Sequence, residues 1–191
     1  MKFLLVGLGN IGDAYAHTRH NIGFDVLDAF AAKHGAAFRT DRLADVAEVK
    51  LKGKQLFLMK PSTYMNLSGK AVKYWMEKEK IPVEQVLVIV DDLAISLEKL
   101  RMRPGGSDAG HNGLKSIQEQ LLTVDYPRLR FGIGNQFPKG GQVDFVLGKW
   151  SAEELPIVMK KMDYCITAIE SFVLIGMEKT MNTVNRYTAA E

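Results

Sequence analysis

Residues 3–24 read FLLVGLGNIGDAYAHTRHNIGF, an apolar strand from Phe3 to Val6, glycines at 7, 9 and 12, and a polar loop that ends at Arg19, His20 and Asn21. The glycines spell G-x-G-x-x-G directly after a strand, with Asp28 further on, which is the pattern of a dinucleotide-binding turn. Such a turn needs its helix to begin within the glycines, so that free N–H groups and the positive helix end meet a pyrophosphate. Here helical periodicity begins only near Ile22, with Ile22, Val26, Leu27 and Phe30 on one face and Asn21 or Thr18 as the cap. The delay argues against a nucleotide. A tight turn leaving a strand needs only the freedom of glycine, but that reading leaves Asp13, Tyr15, His17, Thr18, Arg19 and His20 unexplained.

The chain has 191 residues and is 47% apolar, enough for one domain over 1–191 with a real core. Its one cysteine, Cys165, excludes an internal disulfide framework and lies in an apolar helical pattern, which fits a packing role in a reducing compartment. The opening apolar run is short and broken by glycine, unlike a secretion signal. No stretch approaches the roughly 18–20 apolar residues of a membrane span, so a cytoplasmic protein is expected. Net charge is +3, but residues 50–150 carry 16 basic against 10 acidic side chains, so the middle of the chain is the basic part. The Lys50, Lys52 and Lys54 cluster reads as a solvated hairpin face, and a polyanionic partner is permitted but not demanded.

In chain order the patterns predict a strand over Lys2 to Val6, a helix over Asn21 to His34, a hairpin of Ala44 to Leu51 with Gln55 to Met59, and a helix over Gly69 to Lys80. Val86 to Val90 is a continuous apolar run, as a strand covered on both faces would be, and it stops at Asp91-Asp92. Lys99 to Arg103 and the stretch around Arg128 to Phe131 alternate as strands, Gly113 to Leu122 as a helix, and Val143 to Leu147 as a further short strand. Ser151 with Glu154 fits a capping box for a helical tail that reaches about Tyr187, interrupted near Pro156 and Gly176. Strands interleaved with helices imply an α/β fold: a single globular three-layer sandwich with a central mixed β-sheet flanked by helices. Ligands in such folds sit beyond the carboxyl ends of the strands. If the first strand and the Val86 strand are parallel neighbours, Asn10 and Asp91 emerge at one rim with the His20 loop over it.

A histidine whose second nitrogen is held by a buried carboxylate is a competent general base, because the carboxylate fixes the tautomer and stabilises the imidazolium. His20 and Asp91 are candidates for that pair. His111-Asn112, in a glycine-rich loop before a helix, adds a second polar cluster, in which Asn112 either donates to a developing oxyanion or simply caps the helix. Gly105-Gly106-Ser107-Asp108-Ala109 approximates the serine elbow of hydrolases, but its last glycine is alanine and the helix starts several residues late. His17 and His20 have H-x-x-H spacing without the other ligands of a zinc pattern, so no metal is expected.

Taken together, VGLGN at 6–10, TRHNIGF at 18–24, KPSTYMNLSG at 60–69, VDDLAISLEKLRMR at 90–103, GHNGLKSI at 110–117 and RLRFGIG at 128–134 resemble the bacterial peptidyl-tRNA hydrolase family over nearly the whole chain. The resemblance implies a monomeric enzyme, with neither metal nor cofactor and no obligate protein partner. Its reaction would cleave the ester between a peptide and the 3′ ribose of tRNA. It places His20 on the catalytic histidine, Asp91 on the acid that orients it, and Asn10 beside them. Tyr15, Met65, Asn66, His111 and Asn112 fall on substrate-binding positions, and Arg103 and Arg130 on basic positions that grip tRNA phosphate. Three departures stand out: Ile11 where proline is usual, Ala94 where an acid is common, and Asp108-Ala109 where small residues or glycine are usual. The non-enzymatic alternative is an RNA-binding relative on the same scaffold, and a nucleotide-dependent oxidoreductase is the third reading.

Overall fold

The computed structural model describes residues 1–190. Seven strands form one mixed sheet: β1 (Lys2–Gly7), β2 (Arg39–Asp41), β3 (Ala44–Leu51), β4 (Lys54–Pro61), β5 (Val86–Asp92), β6 (Leu100–Arg103) and β7 (Arg128–Gly132). Their order across the sheet is β2-β3-β4-β1-β5-β7-β6. β1 runs parallel to β4 and β5, and β5 parallel to β7, whereas the β2-β3, β3-β4 and β6-β7 pairs are antiparallel.

Both faces are covered. Phe3 and Leu5 of β1 join Leu87 and Ile89 of β5 in a core under α1 (Ile22–Lys33) and α5 (Leu155–Ile175), while Leu4, Val6, Val86, Val88 and Val90 face α2 (Ser68–Glu79) and α3 (Asn112–Leu121). A strand buried on both sides has no polar face to present, which is why β1 and β5 are unbroken apolar runs. The expected sandwich is therefore the observed one. The β3-β4 hairpin tip at Lys52-Gly53 lies at the end of the sheet opposite the strand exits, and it carries the exposed lysine cluster there.

Glycines 7 and 9 are needed for a different reason from the one their spacing suggests. Of glycines 7, 9 and 12, only Gly12 has a positive φ (101°), whereas a Cβ on Gly7 would lie 2.2 Å from the carbonyl oxygen of Gly23, and one on Gly9 2.9 Å from the Phe24 ring. The strand exit and the start of α1 meet backbone to backbone. This contact fixes the His20 loop between them as two single 3₁₀ turns, Asp13–Tyr15 and Arg19–Asn21.

Two local expectations fail. Val143 to Leu147 is not a strand: Gln142–Val146 forms the short helix α4. So brief an apolar run has no decisive period, and no strand edge is offered to it. Pro156 does not interrupt the tail either, since it occupies the first turn of α5, where the missing N–H has no intrahelical partner to lose. The break is at Gly176 (φ 95°), before α6 (Met177–Val184). The capping box exists, with Ser151 N–H donating to Glu154 Oε1 at 2.8 Å and Glu154 N–H to Ser151 Oγ at 3.2 Å. Asn185 then closes the sheet edge at β6, where its side chain accepts from Met102 N–H at 2.7 Å and donates to the Met102 carbonyl at 3.1 Å.

Candidate active site

At the carboxyl ends of β1, β4 and β5 lies a cleft of about 460 Å³, lined among others by Asn10, His20, Met65, Asn66, Asp91, His111 and Asn112. Parallel pairing of β1 with β5 brings Asn10 and Asp91 to one rim, and the first 3₁₀ turns hang His20 over it.

Asp91 is the centre of the cluster. Its Oδ2 lies 2.9 Å from His20 Nδ1 and its Oδ1 2.9 Å from His111 Nε2, and the two imidazoles stand 5.0 Å apart, tilted by 42°. Burial pushes the Asp91 carboxyl up, but the charges and hydrogen bonds of His111 and His20 outweigh it and hold the pKa down at about 2. The carboxylate is thus a fixed acceptor at neutral pH. His111 caps α3, its Nδ1 accepting from Gly113 N–H at 3.0 Å, so its proton sits on Nε2 and points at Asp91. By the same logic His20 donates from Nδ1, leaving the Nε2 lone pair for the cleft.

Asn10 is oriented with equal care. Its Oδ1 accepts from Met65 N–H at 2.8 Å, so the amide hydrogens of Nδ2 are what it offers to a ligand. Its backbone is fastened by Asn21, which accepts from Asn10 N–H and donates to the Asn10 carbonyl, both at 2.9 Å. Asn21 therefore makes no side-chain cap for α1, nor does Thr18, whose hydroxyl donates to the Tyr15 carbonyl at 2.8 Å. Asn21 is a site residue that sequence reading took for a helix cap. The adjacent signal, a histidine-asparagine pair at a loop end, suits either role.

Asn66 and Asn112 are exposed on the cleft wall, with no side-chain hydrogen bond among the described residues, and Asn112 opens α3 without capping it. Met65 is buried, in the 3₁₀ turn Met65–Leu67. Tyr15 lies outside the cleft lining, on the Asp13–Tyr15 turn. Arg130 does line the cleft, but it is engaged: Nη1 donates to Asp92 Oδ2 at 3.1 Å and Nη2 to the Ser107 carbonyl at 2.9 Å. Arg103 is exposed on the edge strand, and among the described residues its side chain bonds only to the neighbouring Met102 carbonyl. Ala94, Asp108 and Ala109 are all on the cleft wall, whereas Ile11 is exposed outside it.

One cluster able to hold a metal ion occurs among the described residues, and it is this same one: donor atoms of His20, Asp91 and His111 lie within 4.8 Å of one another. Both histidine nitrogens facing Asp91 carry the protons of its hydrogen bonds, so a cation would have to displace them. His17, the other half of the H-x-x-H pair, turns away to Asp25 at 3.0 Å.

A family profile described as Peptidyl-tRNA hydrolase matches residues 4–191. The chain belongs to the peptidyl-tRNA hydrolase family. Among its relatives, the peptidyl-tRNA hydrolase of Phocaeicola vulgatus is 56% identical over 186 residues, covering 97% of this chain and all of the relative. That of Porphyromonas gingivalis is 52% identical over 185 residues, with the same coverage. The crystal structure of peptidyl-tRNA hydrolase from Acinetobacter baumannii superposes with a TM-score of 0.93 at 33% identity, over 98% of this chain and 96% of that one. No helix among the described residues is long and apolar enough to cross a membrane.

Proposed function

We propose that this chain hydrolyses the ester joining a peptide, or an N-blocked aminoacyl group, to the 3′ ribose of tRNA, as a monomer in the cytoplasm, with His20 as general base. The observation that carries the reading is the His20–Asp91 pair at 2.9 Å, in a cleft flanked by amide donors, on a chain of this family. His20 Nε2 takes a proton from water as the water oxygen bonds to the ester carbonyl carbon. Asp91 stabilises the imidazolium formed. Asn10 Nδ2 and the Asn112 amide supply N–H donors to the developing oxyanion or hold the water. Collapse of the tetrahedral species breaks the bond to the 3′ oxygen, which takes the proton back from His20. An ester with a ribose leaving group needs no serine nucleophile, and Ser107 lies outside the cleft lining.

The test is release of the acyl group from a defined N-acetyl-aminoacyl-tRNA with EDTA present. Turnover by the wild type and a fall of ~10²- to 10⁴-fold in His20→Ala, with tRNA binding retained, is the expected result. Tight binding without release would instead support the RNA-binding reading, and near-normal turnover by His20→Ala would remove the base from its role.

A further inference from the structure

One wall of the cleft rests only on the margin of the core, through the half-buried Phe145 and Val146. α4 and its C-terminal turn give the cleft Gln142, Val143, Val146 and Leu147, and behind them lies a second cavity of about 550 Å³, bounded by Arg19, Phe145, Ser151 and Glu154 among others. A five-residue helix between two cavities, with no residue fully buried and only Phe145 and Val146 half-buried on the core margin, has little apolar burial to hold it in place.

Arg19, the chain neighbour of His20, spans that rear space. Its Nη1 donates to the Phe145 carbonyl at 3.1 Å and its Nη2 to Glu154 Oε1 at 2.7 Å. Its guanidinium lies 4.3 Å from the centre of the Phe145 ring and 5.3 Å from that of Trp150. Its backbone N–H donates to the Gly148 carbonyl at 3.0 Å, and a Cβ on Gly148 would come within 2.9 Å of Nη1. The Glu154 oxygen that it uses also accepts from Ser151 N–H, so the cap of α5 and the wall of the cleft share one carboxylate. Only a planar, forked cation reaches two acceptors and two ring faces at once, and lysine would keep one of these contacts.

We propose that Arg19 is a positioning residue that locks the α4 wall against the start of α5 and thereby sets the width of the cleft for the acyl part of the substrate. The inference rests on the ester-hydrolase reading. Without the lock the wall can settle into the space behind it, so the substrate loses contact with Val143 and Val146. The His20–Asp91 pair, held from the side of β5, keeps its geometry. Binding is then weakened more than chemistry.

Steady-state hydrolysis of N-acetyl-aminoacyl-tRNA by Arg19→Gln tests this, together with acrylamide quenching of tryptophan fluorescence. The chain has two tryptophans, and Trp75 is fully buried in the opposite layer, so quenching reports on Trp150. Arg19→Gln is expected to raise KM about fivefold or more with kcat within about twofold, and to make Trp150 more quenchable, with Arg19→Lys intermediate. Wild-type KM and quenching in Arg19→Gln would overturn the lock, as would a fall in kcat at unchanged KM. If circular dichroism finds Arg19→Gln unfolded, Glu154→Gln carries the test. It keeps the acceptor for Ser151 but loses the charge, and is expected to move both readouts in the same direction by less; no movement overturns the proposal. If the wild type releases no acyl group, the ester-hydrolase reading fails on its own, and Trp150 quenching still decides whether Arg19 holds the wall.

Discussion

Asn21 holds Asn10 by both backbone groups, its side chain spanning the N–H and the carbonyl at 2.9 Å each, and both residues are buried. Replacing Asn21 by Ala leaves those two groups without partners where water has little access. The expected loss of stability is about 2–3 kcal/mol by urea denaturation. Because Asn10 Nδ2 is aimed through this backbone, kcat is expected to fall as well. A variant with wild-type stability and turnover would show that Asn10 is held by Met65 N–H alone.

Asp91→Asn tests the centre of the cluster. Two imidazole N–H groups converge on two carboxylate oxygens, whereas an amide supplies one acceptor and one donor. One histidine must then turn or change tautomer. Turnover is expected to fall by about two to four orders of magnitude, with tRNA binding little changed. Retained kcat would mean that His20 needs no carboxylate partner.

The two arginines proposed to grip phosphate are expected to behave differently. Arg103 is exposed, so Arg103→Ala should leave stability alone, weaken binding of every tRNA alike, and flatten the salt slope by about one phosphate contact. Arg130 is 14% exposed and paired with Asp92, which is 9% exposed, so Arg130→Ala strands a carboxylate and should also destabilise the fold by about 1–3 kcal/mol. Equal salt slopes before and after both substitutions would remove phosphate from the account of these residues.

These outcomes depend on features of unequal legibility. The rim was readable because an apolar run that stops at Asp91-Asp92 can only be a buried strand with its acids at the exit, and the delayed helix at Ile22 marked the polar loop as functional. The role of Asn21 was not, because a cap and a backbone clasp use the same side chain at the same loop end. No local pattern marks Arg130 as engaged, because its partner, Asp92, belongs to a neighbouring strand 38 residues away. The positive φ of Ala109 (51°), on the cleft wall, depends on a loop path that local sequence does not specify. α4 was misread because five residues between voids have no period that distinguishes helix from strand.

Lys161 was legible least of all, since a lysine pair before Met162 in an amphipathic helix reads as surface. It is fully buried on α5, donating to the Leu97 carbonyl at 2.6 Å and the Gly132 carbonyl at 2.7 Å, with the Phe131 ring 3.8 Å away. Phe131 and Gly132 pair with Asp91 and Asp92, so this amine anchors the strand next to the rim. Burial pulls its pKa down from 10.5 to about 7, against weaker opposing effects of Cys165 and Glu98. Between pH 7 and 10.5 the unfolded chain therefore binds a proton that the folded one lacks, and stability contributed by this group rises with pH across that window. Below pH 7 both states are charged, and the cost of burying the ammonium is felt in full. Cys165 titrates the other way, its thiol pushed by burial from 9 up to about 12, so it erodes stability only as pH rises past 9. Urea denaturation between pH 7 and 9 isolates the lysine. Wild type should gain stability relative to Lys161→Met across those two units, and parallel curves would show that the amine stays charged in its buried site.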